Sequence, residues 1–344
     1  MAQRIGAHTV RLERPPAVAA HAGLAGKKER EGPLGACFDK TFEDARFGKK
    51  TWEQAEQTLL QNALTLAAGK LPRTCPQPEA IFAGDLQNQC TASSFAFKES
   101  GLPFCGLYGA CSTMALTLGM AALSVSAGAF RSAAAVTGSH FCTAERQFRK
   151  PLEYGGQRAP TAQWTVTGAG AAILAANGGP GDPQITHLHF GTITDLGVTD
   201  GANMGAAMAP AAARTIADLL RDTDTTPRDY DLILTGDLGF VGGALLRELL
   251  RREGFDLTET HNDCGMMIYD REKQDVHAGG SGCGCSASVL CSHIFDEMRR
   301  GRYRRILFAA TGALLSATSA LQGASIPGIA HAVVIESGER MTDR

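Results

Sequence analysis

The segment Tyr108-Gly109-Ala110-Cys111-Ser112-Thr113 sets a cysteine among small residues at the predicted start of a helix running from Cys111 to Ser126. At a helix start, unpaired backbone N–H groups and the helix dipole favour the thiolate, the reactive form of cysteine. The glycine and alanine before it would let a substrate or partner chain come close to the sulfur. A lone cysteine on a helix is equally a small buried hydrophobe, and the motif alone leaves both readings open. A second junction of the same kind follows at Cys283-Gly284-Cys285-Ser286.

Other chemistry-bearing residues are weaker signals. His261, Cys264, His277, Cys283, Cys285 and Cys291 form a soft-ligand group in sequence, with chelating spacings at His261-x-x-Cys264 and Cys283-x-Cys285. The paired Cys-x-x-Cys ligands of a structural zinc site are missing, so buried thiols and no metal are expected. Gly168-x-Gly170 lacks the third glycine and the acidic residue of a dinucleotide site, and reads instead as close strand packing. No cofactor is expected.

The elements that position these residues occur twice. Ile81-Phe82-Ala83-Gly84-Asp85-Leu86 returns as Ile233-Leu234-Thr235-Gly236-Asp237-Leu238. Gly109-Ala110-Cys111-Ser112, with the later Ala135-Val136-Thr137-Gly138-Ser139, returns as Cys283-Gly284-Cys285-Ser286 with Ala309-Ala310-Thr311-Gly312-Ala313. Gly168-Ala169-Gly170-Ala171-Ala172-Ile173-Leu174 is echoed by Gly328-Ile329-Ala330-His331-Ala332-Val333-Val334. Three echoes in one order indicate a duplicated α/β unit. The dense turn Asn177-Gly178-Gly179-Pro180-Gly181-Asp182-Pro183 marks the boundary, giving halves at 1–182 and 183–344.

Within the halves, residues 1–50 read as an extended entry and a polar loop. A helix begins at Thr51, with Trp52, Ala55, Leu59, Ala63 and Leu66 on one face, and Gly69 can end it before Pro72, Pro76 and Pro78. Short apolar runs predict strands at 80–83, 132–137, 171–176, 185–193, 231–234, 306–310 and 331–336. Helices are predicted at 210–221, 241–252 and 285–299. Strands alternating with helices make an α/β sheet with helical cover.

Composition narrows the function. The 344 residues, 44% hydrophobic and 20% charged, have ample capacity for a core. A net charge of −2 gives no electrostatic case for nucleic acid. The N-terminus lacks the apolar stretch of a secretion signal, and ten scattered cysteines suit a reducing compartment. The uncharged stretches 101–130 and 306–335 are broken by Gly, Ser, Thr and Pro, so they are expected to be buried core rather than membrane spans.

Taken together, the repeat and the Cys111 junction resemble the thiolase superfamily, from about Trp52 to Glu336. The resemblance implies a duplicated, five-layered αβαβα fold, a homodimer formed around the cysteine, and Cys111 at the family's nucleophile position. In the condensing enzymes a histidine follows the strand matching 232–234 and an asparagine precedes the helix matching 285–299. Here those places hold Thr235-Gly236-Asp237-Leu238 and Gly280-Ser281-Gly282-Cys283-Gly284-Cys285, and the family's glycine triplet is reduced to Gly312. Carbon–carbon bond formation needs groups that hold an enolate oxygen and move a proton, so a pseudo-enzyme with a binding pocket is expected. The alternative is an acyl-transferring condensing enzyme that uses Cys111 with His140 or His261 as base.

Within the superfamily, Phe82-Ala83-Gly84-Asp85-Leu86-Gln87-Asn88-Gln89, Gly138-Ser139-His140, His261-Asn262-Asp263-Cys264-Gly265 and Gly279-Gly280-Ser281-Gly282-Cys283 resemble a non-catalytic branch of sporulation proteins. That resemblance implies binding of dipicolinic acid, with or as its calcium complex, and a part in its uptake into the developing spore, affecting sporulation and germination. It also implies integral membrane partners from the same operon and peripheral association with the spore inner membrane. Cys111, Ser112, Asp85, His140, Asp237 and Cys283 would line the ligand site. Asp85 and Asp237 can meet a hard cation or cap a following turn, and His140 can donate to a carboxylate or be a satisfied structural group.

Overall fold

The computed structural model describes residues 2–148 and 158–338. Its main sheet divides at a single residue pair, Gln184 with Ala17. On one side the strands run in the order Ala17–Ala25, Gly168–Ala175, Ser132–Ser139, Ile81–Gly84 and Phe104–Gly106. On the other they run Pro183–His189, Gly328–Ser337, Arg305–Ala313, Leu232–Thr235 and His261–Asp263. Both series have the same pairing pattern, two antiparallel contacts followed by two parallel ones. The sequence echoes therefore correspond to a duplicated five-stranded unit.

Between the sheets lie two buried helical segments. Thr113–Ser126 touches strands of both sheets, and its Met114 and Leu118 share one core with Phe82, Leu174, Phe308 and Val333. The second segment comprises Cys283–Val289, a π-turn at Leu290–Ile294 and Phe295–Arg299. The helix Trp52–Lys70 covers the outer face of the first sheet, while Met204–Asp222 and Gly239–Arg252 pack on the outside of the second. Helix, sheet, helix, sheet and helix make five layers, because each sheet must bury both faces.

Small residues set the central spacing. A Cβ added to Gly170 would lie 2.1 Å from the Ala287 carbonyl oxygen, so strand and central helix meet backbone to backbone there. This is the close packing expected at Gly168-x-Gly170. Thr51 caps its helix by accepting from the Gln54 N–H at 3.2 Å. The helix of the second half begins at Met204 rather than at residue 210, with Pro210 inside it.

Residues 1–50 differ most from the sequence reading. Ala17–Ala25 is a fully buried strand, and Thr9–Leu12 pairs with the edge of Pro183–His189 in the other half. An alanine-rich run with a histidine in it carries little hydrophobic signal. Its burial follows from its neighbours, and His21 is accommodated by a 2.7 Å hydrogen bond with the Cys291 carbonyl.

Candidate functional site

Cys111 does not occupy the first turn of its helix. The helix starts at Thr113, and Cys111 sits in the preceding loop after Ala110, whose φ of 50° lies in the left-handed region. Ser112 and Thr113 turn their hydroxyls back to the carbonyls of Gly109 and Ala110, both at 2.6 Å, which fixes the loop. Gly312, the one glycine kept from the triplet, lets the second sheet reach this loop: a Cβ there would lie 2.4 Å from the Gly109 carbonyl oxygen.

Of the two readings the motif left open, the structure favours the buried thiol. Burial drives the Cys111 thiol well above the ordinary cysteine range, and the adjacent Asp237 carboxylate, which accepts its hydrogen bond, drives it further. Asp237 is itself fully buried. Its Oδ1 accepts from the Thr311 hydroxyl at 2.8 Å, and its Oδ2 from the Gly282 N–H at 2.7 Å and the Ser281 hydroxyl at 3.3 Å. Burial raises the Asp237 carboxyl to about 7, with these donors and the thiol opposing the rise. The group facing the sulfur is thus a buried carboxyl with a raised pKa, held by separate segments of the second half.

The repeat-related Asp85 has another job. Its Oδ1 accepts from the Gln87 N–H at 2.8 Å, and its Oδ2 from the N–H and hydroxyl of Ser93 at 2.7 and 2.5 Å. It therefore caps the turn after its strand and the short helix Thr91–Phe97. In the second half the equivalent capping falls to Asp263, which accepts from the N–H groups of Leu238 and Gly239.

The remaining predicted residues lie around this core. Cys283 is fully buried against Cys111, Leu86 and Ala144, with its sulfur 3.1 Å from the Gly138 carbonyl. Ser112 is buried and bonded within its own loop. His140 bonds the Ala45 carbonyl through Nε2 at 2.6 Å and accepts the Cys142 N–H through Nδ1 at 3.1 Å. Burial lowers it to about 4, so it is a neutral structural group at physiological pH. His261 is taken up by Thr235 at 2.9 Å and Arg247 at 3.3 Å. Neither histidine bonds to Cys111. His277 pairs with Asp275 at 2.8 Å, away from the cysteines with which the sequence grouped it.

A narrow cavity of about 30 Å³ opens beside Cys111, with room for about two waters. Leu86, Phe148, Met204 and Leu315 form its apolar wall, and Glu145 and Ser281 its polar one. None of the described lining residues is cationic. Among the described residues, no group of three or more His, Cys, Asp or Glu is arranged to hold a metal ion.

Two carboxyl groups at the site were not anticipated. Glu145 lines the cavity and accepts from Thr165 at 2.9 Å; nothing in its sequence context marks it. Glu56 is fully buried behind the wall, where its Oε2 accepts from Gln87 and Thr143, both at 2.6 Å. It thereby ties the Leu86-Gln87 loop to the helix Phe141–Phe148. Burial, and then the Asp85 charge, raise it to about 8. This glutamate stands four residues from Trp52 and three from Leu59, on the apolar stripe of its helix, which was a readable signal.

Three comparisons bear on identity. Residues 6–336 match a family model described as Stage V sporulation protein AD (SpoVAD). The chain is 46% identical over 331 residues to Stage V sporulation protein AD of Bacillus subtilis (strain 168), covering 96% of this chain and 97% of the relative. Among solved structures it resembles cerulenin-bound OleA of Xanthomonas campestris, with a TM-score of 0.57 and 15% identity over 93% of this chain and 98% of that one. It also resembles 3-oxoacyl-[acyl-carrier-protein] synthase III of Aquifex aeolicus, with a TM-score of 0.55 and 11% identity over 93% and 99%. At such identities the likeness establishes the thiolase-like fold alone.

Glu56 gives a stability test. Its folded pKa is raised above the unfolded value of 4.5 to about 8. Stability present below the unfolded pKa is therefore lost as pH rises through that window. Glu56→Gln removes this loss while keeping an acceptor for Gln87 and Thr143. Its melting temperature should match the parent near pH 4.5 and exceed it by a margin that grows up to pH 8. A constant margin across that range, measured by thermal unfolding, would refute a protonated Glu56.

Proposed function

The chain belongs to the stage V sporulation protein AD family, and on that premise we propose that it binds dipicolinic acid, as the calcium complex, rather than catalysing a condensation. The observation that carries this reading is the group opposite Cys111. The Asp237 carboxyl, already bonded to Thr311 and Gly282, accepts the thiol's hydrogen bond, and no histidine or cation among the described residues lines the cavity beside the sulfur to stabilise a thiolate. A thiol held protonated in this way is a poor nucleophile. The pocket remains as a small apolar chamber with a few convergent polar groups, as ligand sites usually are.

Charge favours the calcium complex over the free ligand. Dipicolinate is a dianion, while none of the described residues lining the cavity is cationic. The 1:1 calcium complex is neutral, and the ligand's own carboxylates and ring nitrogen supply most of the coordination. The carboxylates of Asp85 and Asp237 are already occupied by backbone and hydroxyl donors. Entry of a flat aromatic ligand requires Leu315, Met204 and Phe148 to move aside, since the closed cavity is too small for it.

No helix among the described residues is long and apolar enough to cross a membrane. In this reading the protein works in dipicolinate uptake into the developing spore while held at its inner membrane by integral membrane partners. It does so as a homodimer. The strand Phe104–Gly106 leaves one edge of the first sheet unpaired, with Phe95 and Tyr108 about half exposed nearby. An open edge flanked by exposed aromatics favours pairing with a second copy.

Calorimetric titration tests the ligand. In the Arg73→Gln protein, which lacks a cation of a separate basic cavity lined by Arg73 and Arg131, dipicolinate with Ca²⁺ should bind saturably, dipicolinate without Ca²⁺ more weakly, and isophthalate, which lacks the ring nitrogen, not at all under either condition. Binding of isophthalate equal to dipicolinate, or turnover of an acyl-CoA through an acylated Cys111, would contradict the proposal. For the dimer, Cys105→Arg on the edge strand should shift the light-scattering mass from two chains to one. A parent protein already monomeric at micromolar concentration would refute it.

A further inference from the structure

A second, larger cavity lies at the other end of the first sheet. It has a volume of about 390 Å³, and Arg73, Thr74, Cys75, Arg131 and Asn177 are among its lining residues. Three chain segments meet there: the loop before Ile81–Gly84, the residue before Ser132–Ser139, and the turn after Gly168–Ala175. The strand Ser132–Ser139 runs from this cavity towards the Cys111 site, and its eight residues span about 25 Å. The two cavities are therefore distinct.

Backbone hydrogen bonds hold the three segments together. The Glu79 N–H donates to the Ser132 carbonyl at 3.0 Å, the Ala176 N–H to the Arg131 carbonyl at 3.1 Å, and the Cys75 N–H to the Pro72 carbonyl at 2.9 Å. Pro72 and Pro76 bracket the loop that carries Arg73, and each fixes its own φ. The cavity is thus framed by bonded main chain on every side where its lining enters.

Its chemistry is the reverse of the Cys111 cavity. Two arginines line it and no acidic residue does. Glu79, just outside, takes the Nε of Arg131 at 2.6 Å and its Nη2 at 2.5 Å, which leaves the Nη1 side of that guanidinium for another acceptor. Arg73 has no ion pair or hydrogen bond among the described residues. The Thr74 hydroxyl and the Asn177 amide add neutral donors. A guanidinium fork matches the paired oxygens of a carboxylate or phosphate, and the fork of Arg73 together with the remaining Nη1 edge of Arg131 suits a small oxyanion.

We infer that the Arg73–Arg131 cavity is an anion site that takes a small oxyanion, either a phosphate group or a carboxylate ligand. Cys75 is a built-in reporter, because it lines the cavity, is only half-buried, and has its sulfur 3.9 Å from the Asn177 carbonyl. A ligand seated between the arginines covers the thiol.

The test is the rate at which Cys75 in the full chain is alkylated, read by peptide mass mapping with added glutathione as the reference thiol. The probes are inorganic phosphate, dipicolinate without calcium, and phosphatidylglycerol vesicles, against chloride at matched ionic strength. A ligand at ten times its dissociation constant leaves about one site in eleven open, so labelling should slow about tenfold. Arg73→Gln, an exposed substitution, should abolish the protection. Protection by phosphate or dipicolinate identifies a soluble ligand, and protection by vesicles alone identifies a lipid phosphate; either supports the site. No protection by any probe, equal protection by chloride, or protection that survives Arg73→Gln would overturn it. Because Cys75 reports only on this cavity, failure here leaves the Cys111 reading untouched, and the reverse also holds.

Discussion

Asp237 is a carboxyl group sealed between two halves of one chain, and the geometry of the site follows from how that burial is tolerated. An unpaired buried charge is prohibitively unfavourable. The side chain is tolerated because donors reach it from the Gly280–Ser281 strand and following glycine, from Thr311 on the neighbouring strand, and from Cys111 across the interface. Those bonds fix where the two halves meet. They also fix the state of the sulfur, since a thiol beside a carboxylate keeps its proton more firmly than one beside a cation. One buried group thus organises the pocket and raises the pKa of the thiol.

The duplicated fold explains why this can happen without loss of the scaffold. Each half brings the same strand order to the central layer, so the loop after Ile81–Gly84 and the loop after Leu232–Thr235 occupy related places. The aspartates of those loops have diverged. Asp85 closes a local turn, whereas Asp237 reaches across to Cys111 while Asp263 takes over the local capping. A second carboxyl, Glu56, braces the cavity wall from behind. Acidic groups therefore surround the Cys111 cavity, and the arginines lie at the far end of the sheet.

The duplication, the glycine contacts and most strands were legible in the chain because they rest on local pattern. Gly168-x-Gly170 read correctly as close packing, since only the absence of a side chain permits that approach. The strand Ala17–Ala25 was not legible, because alanine carries too little apolar signal and the burial comes from both neighbouring layers. At the site, Cys111, Cys283 and Asp237 were found by repeat and motif, and they do come together. The ionisation of Cys111 was open in the sequence, because it depends on burial. A motif suggests the dipole of a helix start, but the helix begins two residues later, and burial together with the Asp237 carboxylate governs the thiol. Glu145 was missed altogether, because its role depends on which segments fold over it.

The most direct test of this account is the ionisation of Cys111, followed by ultraviolet thiolate absorbance as a difference between the native protein and Cys111→Ser over a pH titration. The account predicts no thiolate from this residue at neutral pH and none until well above pH 9, with an earlier onset once Asp237→Asn removes the neighbouring charge. Thiolate absorbance from Cys111 at or below neutral pH would contradict it.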